Sequence, residues 1–308
     1  MTLNFPKGNA FAFTIVDDTD FATVSKVRPV YRLLKSLGFR TTKSVWALPC
    51  NVPEVQPQQT LSDAEYLSWI IELNNEGFEI AFHGARHGNS KREEIIESIQ
   101  IFKKHIGYYP RVYLNHFANI DQLYWGASRF DLYFLRLISA SRSRSKGSLG
   151  HIPQSRYFWG DFAQNHIIYT RNFVFGGINT AKFDPFMPYY DPRRPYVNSW
   201  FSSSDGFDVE RFNTLLEEKN QLRLEKERGI CIVYTHFGYG FVKNGEVNPR
   251  TRSLLENLSK KNGWFVPAGT LLDYMRRQRG YKPYSSLGRK IMEMRWVKSK
   301  VAAKLLRN

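Results

Sequence analysis

Two adjacent carboxylates, Asp17 and Asp18, leave an apolar run in the string FTIVDDTD. Neighbouring acids are costly to bury together, because like charges repel and burial disfavours both ionised forms, so a bound cation would resolve the cost. A second group lies in HGARH, where His83 and His87 stand four residues apart. On a helical turn both imidazoles project to one side as metal ligands. One carboxylate with two imidazoles leaves positions open on an ion, the arrangement of a catalytic rather than a structural metal. His236, in IVYTHFGYG, ends a further apolar run, and Gly238 and Gly240 let the chain turn sharply there. It is placed as the proton donor. Each group has a plainer reading: a solvated turn, a chance spacing among seven histidines, a histidine satisfied by backbone. What joins them is position, since each follows a different strand of one expected sheet at the end where barrel enzymes build their sites.

The elements that must position these residues read as repeated βα units. Ala10 to Val16 precedes a helix from Val24 to Leu37, and Thr42 to Leu48 precedes a helix over Asp63 to Asn75 capped by Ser62. Phe78 to Phe82 reads as a strand, followed by a helix capped by Ser90, with Glu93 in the capping-box position, that ends at Ile106. Arg111 to Leu114 supplies a fourth strand. After a less regular middle come a helix from Asp208 to Arg228, the strand Ile230 to Thr235, a helix from Pro249 to Lys261, the strand Trp264 to Val266 and a helix from Thr270 to Arg279. Such repetition implies a parallel sheet curled into a barrel. Ser139 to Gly150, with Arg142, Arg144 and Lys146, reads as a basic loop, and Phe173 to Gly206 as a long ordered loop.

The order of DD after the first strand, H-x-x-x-H after the third and a late hydrophobic-x-H resembles the polysaccharide deacetylase superfamily, carbohydrate esterase family 4, whose members include chitooligosaccharide deacetylases. The resemblance covers about residues 8 to 275. It implies an α/β fold, a distorted (β/α)7 barrel over residues 1–275; residues 276–308 read, from their own charge and spacing, as a basic amphipathic C-terminal helix. It also implies a metal-dependent hydrolase that removes an N-acetyl group from a sugar, with Asp17 as the base, Asp18, His83 and His87 holding a divalent metal, usually Zn2+, and His236 as the acid. The family's serine or threonine after the first histidine is Gly84 here. Its arginine after strand four is missing; LNHFAN offers Asn115 and His116, and the amide is expected to hydrogen-bond Asp17. WGD gives Trp159 and Asp161 as loose counterparts of the family's next motif, to wall the sugar pocket and to orient His236.

Of the 308 residues 42% are hydrophobic and 15% aromatic, which excludes wholesale disorder. Two cysteines cannot form a disulfide framework, and no signal peptide or spanning segment is indicated, so a cytoplasmic protein is expected. Residues 276–308 carry 11 Lys and Arg against Glu293 alone, a net +10 of the chain's +16. Leu287, Ile291, Met294, Val297, Val301 and Leu305 recur there at helical spacing between lysines. The tail reads as a helix docked on the barrel, an in-plane helix on an anionic membrane, or a nucleic-acid arm; Trp296 favours the membrane. The expected substrate is thus an N-acetylated glycan or a lipid-linked cell-envelope precursor at the inner membrane surface, with residues 281–308 touching anionic lipid. Nucleic acid is not the expected partner, although the isoelectric point of 9.8 keeps it open. Two rivals remain: a degenerate glycan-binding protein without turnover, and a hydrolase of another non-peptide C–N bond.

Overall fold

A computed structural model of the chain describes residues 3–52, 57–142, 147–281 and 283–305. Seven parallel strands close a barrel: β1 (Phe11–Asp17), β2 (Thr42–Trp46), β3 (Glu79–Gly84), β4 (Val112–Tyr113), β5 (Tyr169–Phe175), β6 (Ser199–Asp205) and β7 (Ile230–Thr235), with β7 pairing back onto β1. All seven residues of β1 are buried, as expected of a strand covered on both faces. A hairpin of β8 (Val242–Lys243) and β9 (Glu246–Val247) follows the barrel. The short β10 (Gly263–Phe265) pairs with the first half of β1, on the edge that β2 takes over at Val16 and Asp17.

The helices are α1 (Val24–Ser36), α2 (Ala64–Asn75), α3 (Arg92–Ile106), α4 (Tyr133–Arg142), α5 (Gly160–His166), α6 (Thr180–Phe183), α7 (Val209–Leu215), α8 (Glu218–Lys226), α9 (Pro249–Ser259), α10 (Ala268–Arg279) and α11 (Ser286–Leu305). The stripe Val24, Val27, Val30, Tyr31 and Leu34 buries α1 at the spacing an amphipathic helix requires. None among the described residues is long and apolar enough to cross a membrane.

Several boundaries differ from expectation. Asp63, not Ser62, precedes α2, and Ser62 Oγ donates to the Ala47 carbonyl. Lys91 precedes α3, and Glu94 rather than Glu93 reaches back to its amide. The helix expected over Asp208 to Arg228 is two, broken where Glu217 turns extended. The expected long loop from Phe173 to Gly206 contains the end of β5, α6 and all of β6. The serines of SWFSSSD suggest a loop, yet Ser202 and Ser204 are buried and donate to the Asp184 carboxylate and the Gly177 carbonyl. Ser139 to Arg142 belong to α4; Arg144 and Lys146 of the expected loop lie outside the described residues.

The last helix docks by an unexpected side. Arg289, Met292, Glu293 and Ser299 of α11 are buried, whereas Leu287, Ile291, Met294 and Val301 of the expected apolar stripe are exposed. Polar contacts outbid the stripe. Glu293 accepts from the backbone amides of Asp131 and Leu132, capping the start of α4, and Ser299 accepts from the Gly176 amide. Arg289 donates to the Arg129 carbonyl among the carboxylates of Asp131, Asp191 and Glu293. The Leu305 side chain lies outside the described residues.

Candidate metal centre

Three carboxylates stand at the end of β1, and each meets a different set of partners. Asp17 pairs in register with Lys43 of β2, so both side chains point into the barrel. Lys43 Nζ stands 3.1 Å from Asp17 Oδ2, Tyr31 donates to the same oxygen at 3.1 Å, and the Phe237 amide donates to Oδ1 at 2.8 Å. Both oxygens are engaged beneath the mouth. Burial lifts the Asp17 carboxyl above its ordinary value, against the opposing pull of Lys43. Asp18 faces across the barrel to Arg171 of β5, which grips it with two hydrogen bonds of 2.6 Å. Burial would raise Asp18, but the guanidinium outweighs it and holds the carboxyl below its usual value.

Asp20 is the third. Its Oδ2 lies 3.4 Å from His83 Nε2 and 3.2 Å from His236 Nε2, and its Oδ1 lies 3.4 Å from His116 Nε2 and 3.7 Å from His87 Nδ1. Four imidazoles from three strand ends thus converge on one carboxylate. Although burial alone would raise it, the ring nitrogens of His116, His236 and His83 bring Asp20 well below the usual carboxylate range. Burial lowers His116 to about 4 and also lowers His87, whereas His236 is raised, its burial outweighed by Asp20. His116 Nδ1 is set by Asn119 Oδ1 at 3.0 Å, and His236 Nδ1 by the Phe207 carbonyl at 2.9 Å, which aims both Nε2 atoms at Asp20.

This donor set fits a metal ion. Asp20 Oδ1, His87 Nδ1 and both ring nitrogens of His83 are buried with no hydrogen-bond partner among the described residues. Ligands about 2.0 to 2.1 Å from a tetrahedral ion stand roughly 3.4 Å apart, close to the spacings around Asp20. Asp20, His87 and His116 form one group with metal-ligand proximity, and Asp18, Asp20 and His236 a second. Asp18 is already taken by Arg171, so Asp20 is the carboxylate left to an external cation.

The structure therefore brings Asp18, His83, His87, His116 and His236 to one rim, and differs from expectation at the others. Asp17 lies on Lys43 rather than in the imidazole ring. Asn115 exchanges two hydrogen bonds with the Leu123 backbone and makes none with Asp17, a loop-closing role. Trp159 is buried against Phe82 and Tyr113 and donates to the Asp121 carbonyl, a packing role. Asp161 sits on α5 in a two-bond pair with Arg92, away from His236. Asp20, Lys43 and Arg171 escaped the sequence reading. Glycine at position 84 is explained, since its φ is +135° and a Cβ would stand 2.9 Å from Trp46, which packs on His83 at 4.5 Å. Gly238 is required by the Phe21 backbone, 2.5 Å from where its Cβ would be.

No protein-family model matches the chain, and no curated protein matches it significantly. Solved structures do. The chain is similar to the Puue allantoinase at 13% identity and a TM-score of 0.55, with 90% of this chain and 94% of that one covered. A protein described as a probable polysaccharide deacetylase from Pseudomonas aeruginosa PAO1 gives 13% identity and 0.53, covering 90% and 95%. One assigned as a polysaccharide deacetylase from Mycobacterium smegmatis gives 12% and 0.51, covering 92% and 95%. The chain thus shares the (β/α)7 barrel of these proteins over nearly their whole length.

Proposed function

We propose that this chain is a metal-dependent hydrolase that removes an N-acetyl group from a sugar of a glycan or of a lipid-linked cell-envelope precursor. The carrying observation is the Asp20 carboxylate ringed by His83, His87, His116 and His236 beside the Asp18–Arg171 pair. Asp20, His83, His87 and His116 hold a divalent ion, zinc by the chemistry of a nitrogen-rich donor set. When bound, that ion lowers the pKa of water and polarises the amide carbonyl.

The remaining work falls to the chain. Asp18, fixed in orientation by Arg171, accepts the proton released as the amide is attacked, a role that falls to it because it stands beside Asp20 and His236 at the rim, whereas Asp17 lies beneath the mouth on Lys43 and Tyr31. His236 Nε2 donates a proton to the departing amine nitrogen while its Nδ1 stays on the Phe207 carbonyl. Without that donation the amide nitrogen is a poor leaving group. The rim carries exposed Phe117 beside His116 and exposed Tyr239 beside Phe21, flat apolar surfaces suited to the face of a pyranose. The deacetylase neighbours support the substrate class, and the tail, with its excess of cations, supports a cytoplasmic chain working at the inner face of an anionic membrane.

One experiment tests the reading: divalent metal content and acetate release from N-acetylated glycans, measured on the wild type and Asp20→Asn. Loss of both signals together is the expected result. Metal retained in full by Asp20→Asn refutes the ligand assignment. Metal without acetate from any glycan favours a binding protein. The allantoinase neighbour, named for a substrate that is not a glycan, is the reason to include cyclic amides in the panel.

A further inference from the structure

Helix α4 is YFLRLISASR, yet of its described side chains only Leu135 is fully buried. Tyr133, Phe134, Leu137 and Ile138 are all exposed, Tyr133 by 72%. Four large apolar side chains left in water on one short helix cost free energy that the barrel does not recover. Helix α11 repeats the pattern with Leu287, Ile291, Met294 and Val301, Leu287 being 69% exposed.

The two helices adjoin. Glu293 of α11 caps the start of α4, and a cleft of about 560 Å³ opens between them, lined by Asp131, Arg136, His151, Arg193, Arg194 and Lys290 among others. Arg194 is buried and spent on Asp131 and Asp191, and Arg193 pairs with the same acids. Arg136 and Lys290 have no acidic partner among the described residues, nor do Arg295 and Lys298 further along α11. The single acid of either helix, Glu293, is buried under α4. The outward surface is therefore apolar and cationic with no exposed acid.

We infer that α4 and α11 together form a docking face for an anionic bilayer, in which the cleft between them takes a lipid phosphate headgroup on Arg136 and Lys290. The exposed apolar side chains of both helices enter the headgroup boundary. Charge complementarity selects this occupant: an apolar face meant for a second copy of the chain would bring Arg136, Lys290, Arg295 and Lys298 against their own kind, whereas anionic lipid neutralises them. The inference rests on the membrane placement proposed above and not on the deacetylase chemistry.

The test uses the full chain and vesicles of phosphatidylcholine with and without phosphatidylglycerol, read by co-sedimentation. Binding is expected only with phosphatidylglycerol and should weaken with salt. Arg136→Gln with Lys290→Gln should weaken it about 25-fold, at roughly fivefold per charge. Leu137→Asp and Leu287→Asp should each weaken it as well, and Lys243→Gln with Lys260→Gln, a matched charge change on other elements, should not. Equal loss in both charge pairs, unchanged binding in the leucine variants, or binding of inorganic phosphate in place of vesicles would overturn the inference. So would a wild-type dimer in solution that Leu137→Asp dissolves. Acetate release from a soluble glycan is measured on the same samples. Its absence from every sample, with vesicle binding intact, defeats the deacetylase reading and leaves this one standing.

Discussion

Arg171→Met is the perturbation that separates a working carboxylate from a structural one. It removes the guanidinium that grips Asp18, which is 3% exposed, and leaves a buried charge uncompensated. Breaking such a pair costs about 3–5 kcal/mol. With an unfolding entropy of roughly 2.1 cal/mol/K per residue over 308 residues, each kcal/mol lowers the melting temperature by about 1.5 °C, so the variant should melt roughly 5–8 °C below the wild type. Lys43→Met does the same to Asp17, which is equally buried, and should lose a similar amount. The two must then part company in turnover. If Asp18 is the proton acceptor, misplacing it should lower kcat by about 10² or more with metal content retained, because that is what a positioned base contributes. Lys43→Met should keep kcat within about tenfold. Thermal unfolding, metal analysis and acetate release on the two variants decide the matter. A large loss of kcat in Lys43→Met with Arg171→Met left active would refute the assignment of roles to the two aspartates.

Two other outcomes follow from buried groups. Burial pushes the Asp121 carboxyl up to about 7, so the folded chain holds a proton there that the unfolded chain releases near 4. Stability tied to this group is present below pH 4 and lost as pH rises to 7, at about 1.4 kcal/mol per unit. Asp121→Asn should therefore gain on the wild type in urea unfolding between pH 5 and 7.5; a constant difference over that range would contradict it. Gly84→Ala must find room 2.9 Å from Trp46 at a φ of +135°, and should lose about 1–3 kcal/mol together with metal affinity, since Trp46 packs on His83. Unaltered metal affinity, measured by competition with a chelator, would show that the tryptophan does not set the imidazole.

How far the sequence reaches can be judged residue by residue. The apolar runs at β1, β3 and β7 are legible because both faces are covered and the runs are nearly continuous, and β2 by its apolar end, Val45 to Leu48. β6 is not, because the serines of SWFSSSD break the apolar run, and the partners that let Ser202 and Ser204 be buried, Asp184, Thr180 and the Gly177 carbonyl, come from the preceding segment. The histidines at 83, 87 and 236 are readable by spacing after strands. Asp20 is harder, since the doublet before it draws the eye and a third acid looks like a helix cap. Yet two signals were present. Lys43 and Arg171 are cations in the middle of strands, and in a parallel sheet covered on both sides such a residue must find a carboxylate inside. Two interior cations against three acids leave one acid over, and that count points to Asp20. The docking side of α11 was beyond reach, because the contacts that choose it, Glu293 on the amides of α4 and Ser299 on Gly176, join segments more than 120 residues apart.

The private neutralisation of Asp17 and Asp18 also fixes the overall polarity of the mouth. With two of the three acids balanced from within the protein and His83, His87 and His116 offering neutral ring nitrogens, one negative charge would face a divalent ion held there, so that on the proposed reading the ion and its ligands would keep an excess of one positive charge. That residual charge would serve to draw the amide oxygen of the proposed substrate, and a fourth acid introduced beside Asp20, such as His87→Asp, would cancel it while still offering a ligand atom.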